Sequence, residues 1–400
     1  MRILMLDNEF PPLGGGTGVV NYHLMKFFNT VPNLWIDLVT SSRSRSTVES
    51  ERFGERAIIY KVPVGNKNIH HASNRELLTY AWRGLKFSRK LLRQHRYALS
   101  FAFSTVPAGA ISYALHSTDR LPYLVSLQGP DVPGFEARYN SLYWVLKPLI
   151  RHIWHHAAVV TAISDHHRRL ALETTAKLTI PIVYNGVDIK VFYPSGNETE
   201  RDTLNILCVG RLIERKGQAY LLRAFARLRS MLRQHTKLTL VGTGDEEASL
   251  KKLAKDLLVY EQVDFAGIVS NEKMPEVYRK ADAFVLPSQN EGMSIALLEA
   301  MASGLPAIVT ETGGTSELVR ENVNGFVVPW ANVQALTEYL TLLAGDRLLR
   351  HRLGQASRQT AVKFSWESMS QRYLDLCVQV AHGSISTPVM RQDQICEDIK

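Results

Sequence analysis

Two trains of short β-rich runs, each alternating with helix-length segments, restrict this chain more than any other feature in it. In the first half the runs lie near residues 2–6, 35–39, 57–62, 98–103, 122–128, 157–162 and 180–184. In the second half they lie near 204–210, 236–241, 262–266, 283–287, 306–310 and 325–328. Such alternation predicts βαβ units and parallel sheets. A chain of 400 residues also exceeds what one hydrophobic core usually supports, so two α/β domains are expected. The predicted layout is a first domain over 1–190, a second over 191–365, and a closing helix with a polar tail over 366–400. The hinge is expected between Asn185 and Thr203, where Pro194, Ser195, Gly196 and Asn197 cluster. From Trp366 to Ala381 the spacing predicts an amphipathic helix with Met369, Tyr373, Leu376 and Val380 along one side.

Composition narrows the classes. The hydrophobic fraction of 45% supplies material for two cores. The formal net charge of +9 is unevenly placed, with a basic excess before residue 195 and near neutrality after it. Cys208, Cys377 and Cys396 show no pairwise metal spacing and leave an odd thiol, which suits a reducing cytoplasm. No run is long and apolar enough to span a bilayer, and Arg2 to Asp7 reads as a strand rather than as a secretory leader.

Residues 286–317 carry the chemistry. Gly292 ends a loop, Met293 to Ser303 reads as a helix, and Gly304 with Pro306 stops it. Around Glu299 that helix is apolar on nearly every side, so the carboxylate is expected to be buried and to need a hydrogen-bond partner in the protein or in a ligand. Glu291 precedes the helix start, where backbone N–H groups and the positive dipole end favour anions. Two carboxylates for hydroxyl groups, with a phosphate cradle between them, suit a sugar nucleotide.

The Glu291/Glu299 spacing resembles the E-x7-E motif of retaining GT-B glycosyltransferases of the group 1, family 4 type. Three further segments match that family in order: Asn185-Gly186-Val187-Asp188, Gly210-Arg211 to Lys216-Gly217, and Phe265-Ala266-Gly267-Ile268-Val269. The resemblance runs from Gly14 to about Trp366. It implies two Rossmann-like lobes facing each other across a cleft, with a C-terminal helix crossing back to the first lobe. It also implies a metal-independent hexosyl transfer with retention of configuration, from a UDP- or GDP-linked sugar to a lipid-linked or glycan acceptor, in cell-surface polysaccharide synthesis. No cofactor is expected. Glu291, Arg211 and Lys216 would be catalytic, the cations steadying a departing diphosphate. Glu299 would hold the nucleotide ribose, and Ile268 and Val269 the base. Met293, Ser294 and Ile295 would offer backbone amides to sugar or phosphate. Gly15 and Gly16, in a glycine-rich turn after the first strand, would contact donor or acceptor.

Gln128 departs from the pattern. Many family members carry histidine at this point of the His-Gly-x-Asp motif, whereas this chain reads Gln128-Gly129-Pro130-Asp131. Glutamine does not titrate, so no general base is expected there, and Gln128 would position a donor hydroxyl. Asp131 would either bind a hydroxyl or cap the next turn. Glu214 and Arg215 read as surface residues, as do His155-His156 and His166-His167. Two basic helices, Arg75 to Arg96 and Asn140 to His156, carry the charge of the first domain. They make an anionic membrane surface a candidate partner, with the enzyme peripheral on the inner face of the cell membrane. Their alternative is core packing with solvated basic faces. Two rival functions remain at this level: a nucleotide-sugar epimerase or hydrolase on the same scaffold, and a non-catalytic basic adaptor for membrane or nucleic acid. No nucleic-acid partner is expected, because no recognition module accompanies the charge.

Overall fold

The computed structural model describes all residues except 70–71, 137–138, 196–202, 232–234 and 384–400. Part of the expected hinge, the polar tail and Cys396 therefore lie outside the described residues. The chain forms two compact units. One comprises Met1–Ile163, His167–Val183 and Ser370–Lys400, the other Ser164–His166 and Tyr184–Met369.

The first unit runs β1 (Arg2–Leu6), α1 (Gly16–Phe28), β2 (Trp35–Ser42), β3 (Glu49–Phe53), β4 (Ala57–Pro63) and α2 (Asn74–Gln94). It continues with β5 (Leu99–Phe103), α3 (Ala110–Asp119), β6 (Tyr123–Leu127), α4 (Asn140–His156), β7 (Val159–Ala162) and α5 (Asp165–Thr174), whose first two residues group with the second unit. Its seven strands lie in the order β3-β4-β2-β1-β5-β6-β7. The inner strands β1, β5 and β6 are buried over almost their whole length, as strands covered by helices on both faces must be.

Two expectations fail here. Glu49–Phe53 pairs antiparallel with β4 at the sheet edge. Its Glu-Ser-Glu-Arg sequence hides the strand from a hydrophobic reading, yet such charges protect an exposed edge. The predicted strand at 180–184 is only an isolated bridge between Ala162 and Ile182. Pro181 lacks the N–H needed to extend that ladder.

The second unit runs β8 (Thr203–Val209), α6 (Gln218–Met231), β9 (His235–Val241), α7 (Glu247–Asp256), β10 (Val263–Gly267), α8 (Met274–Lys280) and β11 (Ala283–Leu286). Then follow α9 (Ile295–Ala302), β12 (Ala307–Thr310), β13 (Gly325–Val328), α10 (Val333–Gly345) and α11 (Arg347–Ala361). Its sheet is parallel throughout, in the order β10-β9-β8-β11-β12-β13. One core joins β8, β9 and β11 to α6, α10 and α11 through buried apolar side chains such as Ile206, Phe225, Leu240, Val285, Leu340 and Leu353.

The unit begins before the boundary expected at 190/191. Asn185 donates from its side chain to Met293 O, and Val187 N bonds Phe364 O, which commits this segment to the second unit. Arg358 secures the same segment by donating to the carbonyls of Ile189, Phe192 and Ala302.

The closing helix α12 spans Trp366–Ala381, and Met369, Tyr373, Leu376 and Val380 are all buried. From Ser370 onward it belongs to the first unit. There Tyr373 packs on Phe101 and shares a 2.7 Å hydrogen bond with Ser126.

Candidate active site

In the second unit β8 lies between strands that follow it on both sides, β9 and β10 to one side and β11 to β13 to the other. The chain thus reverses direction across the sheet between β8 and β11. The carboxyl ends at such a point are where α/β folds bind ligands. After β8 comes a single turn of 3-10 helix, Glu214–Lys216, closed by Gly217 in the left-handed region (φ 68°). A Cβ at Gly217 would stand 2.0 Å from Pro287 O. Glycine is therefore required for the Lys216 turn to lie against the loop after β11.

That approach brings two candidates together. The Lys216 ammonium donates to Glu291 Oε1, and Ser288 Oγ donates to the same oxygen at 2.6 Å. Their side chains are only 14% and 10% exposed, so this is a nearly buried ion pair. Burial works against ionisation of Glu291, but the Lys216 ammonium, the Ser288 hydroxyl and the charge of Arg215 together hold its carboxyl below the usual range. Arg215 is not the free surface residue expected. Its guanidinium reaches Asn290 O at 3.3 Å, and its own carbonyl accepts from Gln289 N at 2.7 Å. The dense Arg211 to Lys216 basic cluster was the signal for it. Arg211 is half-buried, with its carbonyl held by Gln218 Nε2 at 2.9 Å.

Ser294 caps α9, its hydroxyl accepting from Leu297 N. The helix is shorter than the predicted Met293–Ser303 because Ser294 competes for the backbone as a cap. Met293 and Ser294 are buried and Ile295 half-buried. The loop before them is braced by the Gly313-Gly314 turn. Gly314 N bonds Glu291 O at 3.2 Å, and a Cβ on Gly314 would fall 1.5 Å from Gly292 O. Glu317, just beyond, accepts from the N–H groups of Asp165 and His166.

Glu299 is half-buried rather than enclosed. Its partner in the protein is Tyr278, whose hydroxyl donates to Oε2 at 2.8 Å. Burial pushes the carboxyl up to about 7, and the Tyr278 hydroxyl opposes that rise. At the carboxyl end of β10, Ile268 is 64% exposed, an apolar side chain offered to solvent, while Val269 is half-buried.

Gly15, Gly16 and Gln128 belong to the first unit. Gly15 and Gly16 are exposed at the start of α1, where Gly15 N donates to Glu9 Oε2 at 2.8 Å. Asp7 lies beneath, bonded by Asn21 and by Glu9 N. Burial and the neighbouring Glu9 charge raise its carboxyl well above the usual range. Gln128 donates from Nε2 to Ser126 Oγ at 2.7 Å, so the residue in the histidine position is tied to Tyr373 through one hydroxyl. Asp131 accepts from the N–H groups of Thr105, Gln128 and Gly129 and from the Thr105 hydroxyl. These donors precede Asp131 in the chain, so the carboxylate braces its own loop against Thr105 rather than capping the next turn.

The histidine pairs are not simply surface residues. His167 is fully buried against the Phe135 ring at 4.5 Å, and His155 shares a 3.0 Å hydrogen bond with Thr175. His166 packs on Gly313. On α4, Leu142, Val145 and Leu149 do not pack inward. They are exposed together with Trp144, while Tyr143, Ile150, Ile153 and Trp154 are buried.

A parallel second sheet whose carboxyl edge carries a lysine–glutamate pair, further arginines and a second carboxylate is the arrangement expected of a sugar-transferring enzyme of the GT-B kind. Residues 193–360 match the family model described as glycosyl transferases group 1, and that match together with the relatives below supports a group 1 glycosyltransferase. It is 26% identical to a GDP-mannose-dependent alpha-(1-6)-phosphatidylinositol monomannoside mannosyltransferase of Mycobacterium tuberculosis, over 94% of this chain and 97% of the relative. Sucrose-phosphate synthase from Thermosynechococcus elongatus shares the fold with a TM-score of 0.84 at 19% identity, over 96% of this chain and all of that one (100%). WaaG, a glycosyltransferase involved in lipopolysaccharide biosynthesis, does so with a TM-score of 0.71 at 18% identity, over 94% and 99% of the two chains.

Proposed function

We propose that this enzyme transfers a hexosyl group from a GDP- or UDP-linked sugar to a lipid-linked or glycan acceptor, with retention of anomeric configuration and without a metal ion. The observation that carries this reading is the Lys216–Glu291 pair, shielded from solvent and flanked by Arg211 and Arg215 at the carboxyl edge of the second sheet. In it the Lys216 ammonium uses one N–H on Glu291 and has two more for a diphosphate. Arg211 adds a second fixed cation for the charge that develops as the diphosphate departs. Glu291 holds the transferred sugar through its hydroxyl groups, and Glu299 holds the nucleotide ribose. Met293, Ser294 and Ile295 bring backbone donors to sugar or phosphate, and Ile268 and Val269 cover one side of the base. In the first unit, Gly15 and Gly16 would contact donor or acceptor, and Gln128 would hold a donor hydroxyl.

In the transfer step the bond from the anomeric carbon to the phosphate oxygen breaks, and its electron pair leaves with the diphosphate. The acceptor hydroxyl oxygen bonds the same face of that carbon, and its proton passes to the departing phosphate oxygen. No protein base is required, which fits a glutamine at position 128.

The mannosyltransferase named above supports a hexosyl donor and a lipid-borne acceptor. Exposed Leu142, Trp144, Val145 and Leu149 on α4, and exposed Leu78 and Trp82 on the basic α2, support docking at the inner face of an anionic membrane. No helix among the described residues is long and apolar enough to cross a membrane. The test is incubation with GDP-mannose, UDP-glucose or UDP-galactose and a membrane lipid extract, with and without EDTA. Retained configuration in a lipid product, unaffected by EDTA, is expected. Complete hydrolysis or epimerisation of the donor without acceptor would overturn the reading.

A further inference from the structure

We propose that Tyr278 is a positioning residue for the transfer reaction: its hydroxyl, by donating to Glu299 Oε2, fixes the carboxylate as a directional acceptor and leaves Oε1 for the nucleotide's ribose hydroxyls. This rests on the role given to Glu299 above.

The geometry is specific. Tyr278 is fully buried on α8, its ring edge-to-face with Phe192 at 5.6 Å and tilted against Phe284 at 6.2 Å. Its rotamer is therefore locked by packing on two sides. The hydroxyl has one proton and two acceptors in reach, Glu299 Oε2 at 2.8 Å and Ala296 O at 3.2 Å. With Glu299 ionised, that proton points at Oε2. With Glu299 protonated, the acid can donate to the phenol oxygen, and the phenol proton turns to Ala296 O. One tyrosine thus satisfies both protonation states of a carboxyl that water only partly reaches. Only the ionised state presents an oxygen that accepts without restriction from a ribose hydroxyl.

The surroundings leave this control to Tyr278. From β8, Cys208 faces the tyrosine, and burial pushes its thiol up to about 12, so it stays neutral. Lys216 and Glu291, next to Cys208, compensate one another. From α11, Arg358 spends its donors on the carbonyls of Ile189, Phe192 and Ala302. Among the described residues no second hydrogen bond reaches the Glu299 carboxyl group. Burial has already moved that carboxyl up to about 7, with the Tyr278 hydroxyl as the opposing influence.

The experiment is calorimetric titration of GDP and of UDP into wild-type, Tyr278→Phe and Glu299→Gln enzyme between pH 5.5 and 9, with thermal melts in parallel. For the nucleotide that wild type binds, affinity is expected to rise through about pH 7 and level off above it. Tyr278→Phe should move that midpoint upward by about one pH unit, weakening binding about five-fold at pH 7 and recovering near pH 9. Glu299→Gln should bind weakly with no such pH dependence. If Tyr278→Phe leaves the midpoint in place, or weakens binding equally at every pH, the positioning role is wrong while the reading of Glu299 stands. If Glu299→Gln keeps wild-type affinity and pH profile, or neither nucleotide binds wild type, the reading of Glu299 fails first.

Discussion

The two units build sheets of similar size, parallel but for the edge strand β3, and treat acidic groups at their carboxyl edges in opposite ways. In the second unit Glu291 is kept ionised by a lysine brought from a neighbouring loop. In the first, Asp131 meets only backbone N–H groups and one hydroxyl, and burial lifts its carboxyl above the usual range despite them. The first arrangement keeps charge where a ligand can use it. The second spends the carboxylate on holding a loop. A shared scaffold does not dictate chemistry; the loops at its strand ends do.

The strongest test of this contrast sets Lys216 against Gln128. Lys216→Met keeps the volume but removes the cation, and kcat/KM should fall by about 10²–10³. Gln128→Ala should cost less than about ten-fold, since its amide bonds a neighbouring hydroxyl. Steady-state kinetics on both variants checks this, and equal losses would erase the distinction between the units.

Next in size is a pair of glycines. Gly217→Ala places a methyl 2.0 Å from Pro287 O at a positive φ, and should destabilise by about 2 kcal/mol or more. Gly15→Ala meets nothing within 4 Å and should stay within about 0.5 kcal/mol of wild type. Denaturant unfolding measures both.

A pH test of stability follows from Glu299. Its carboxyl is raised from 4.5 to about 7 on folding. The stability this group lends is therefore fully present below about pH 4.5 and lost as pH rises to about 7. Glu299→Gln removes the ionisation, so its melting temperature should exceed that of wild type by more at pH 8 than at pH 5. Partial exposure of the carboxyl keeps the gain to about 1 kcal/mol. A constant difference across pH would contradict the assignment.

The smallest expected effect concerns the first unit's surface. Trp144 is 82% exposed, so Trp144→Glu should leave melting unchanged while reducing flotation with anionic liposomes about three-fold or more. Equal flotation would remove α4 from the membrane reading.

Much of this arrangement was legible in the sequence, for identifiable reasons. Apolar runs bounded by glycine and proline marked most strands, because inner parallel strands must be apolar on both faces. β3 escaped because its side chains face water. The E-x7-E spacing located both carboxylates, but not their partners. Tyr278 lies on another helix and Ser288 on a loop, and only the fold brings them within reach. On α4 the period was right, but the sequence left open which side would be buried. Leu142, Val145 and Leu149 satisfy the helical spacing as well as Tyr143, Ile150 and Trp154 do, and nothing local distinguishes the two sides.

The return of α12 to the first unit has a consequence for biosynthesis. Tyr373, which packs on Phe101 and bonds Ser126, emerges from the ribosome 247 residues after Ser126. Until then the N-terminal half carries an uncovered apolar seam that its own later segment must seal. Early termination near residue 369 should thus compromise the half that was made first, leaving the later half to fold without it.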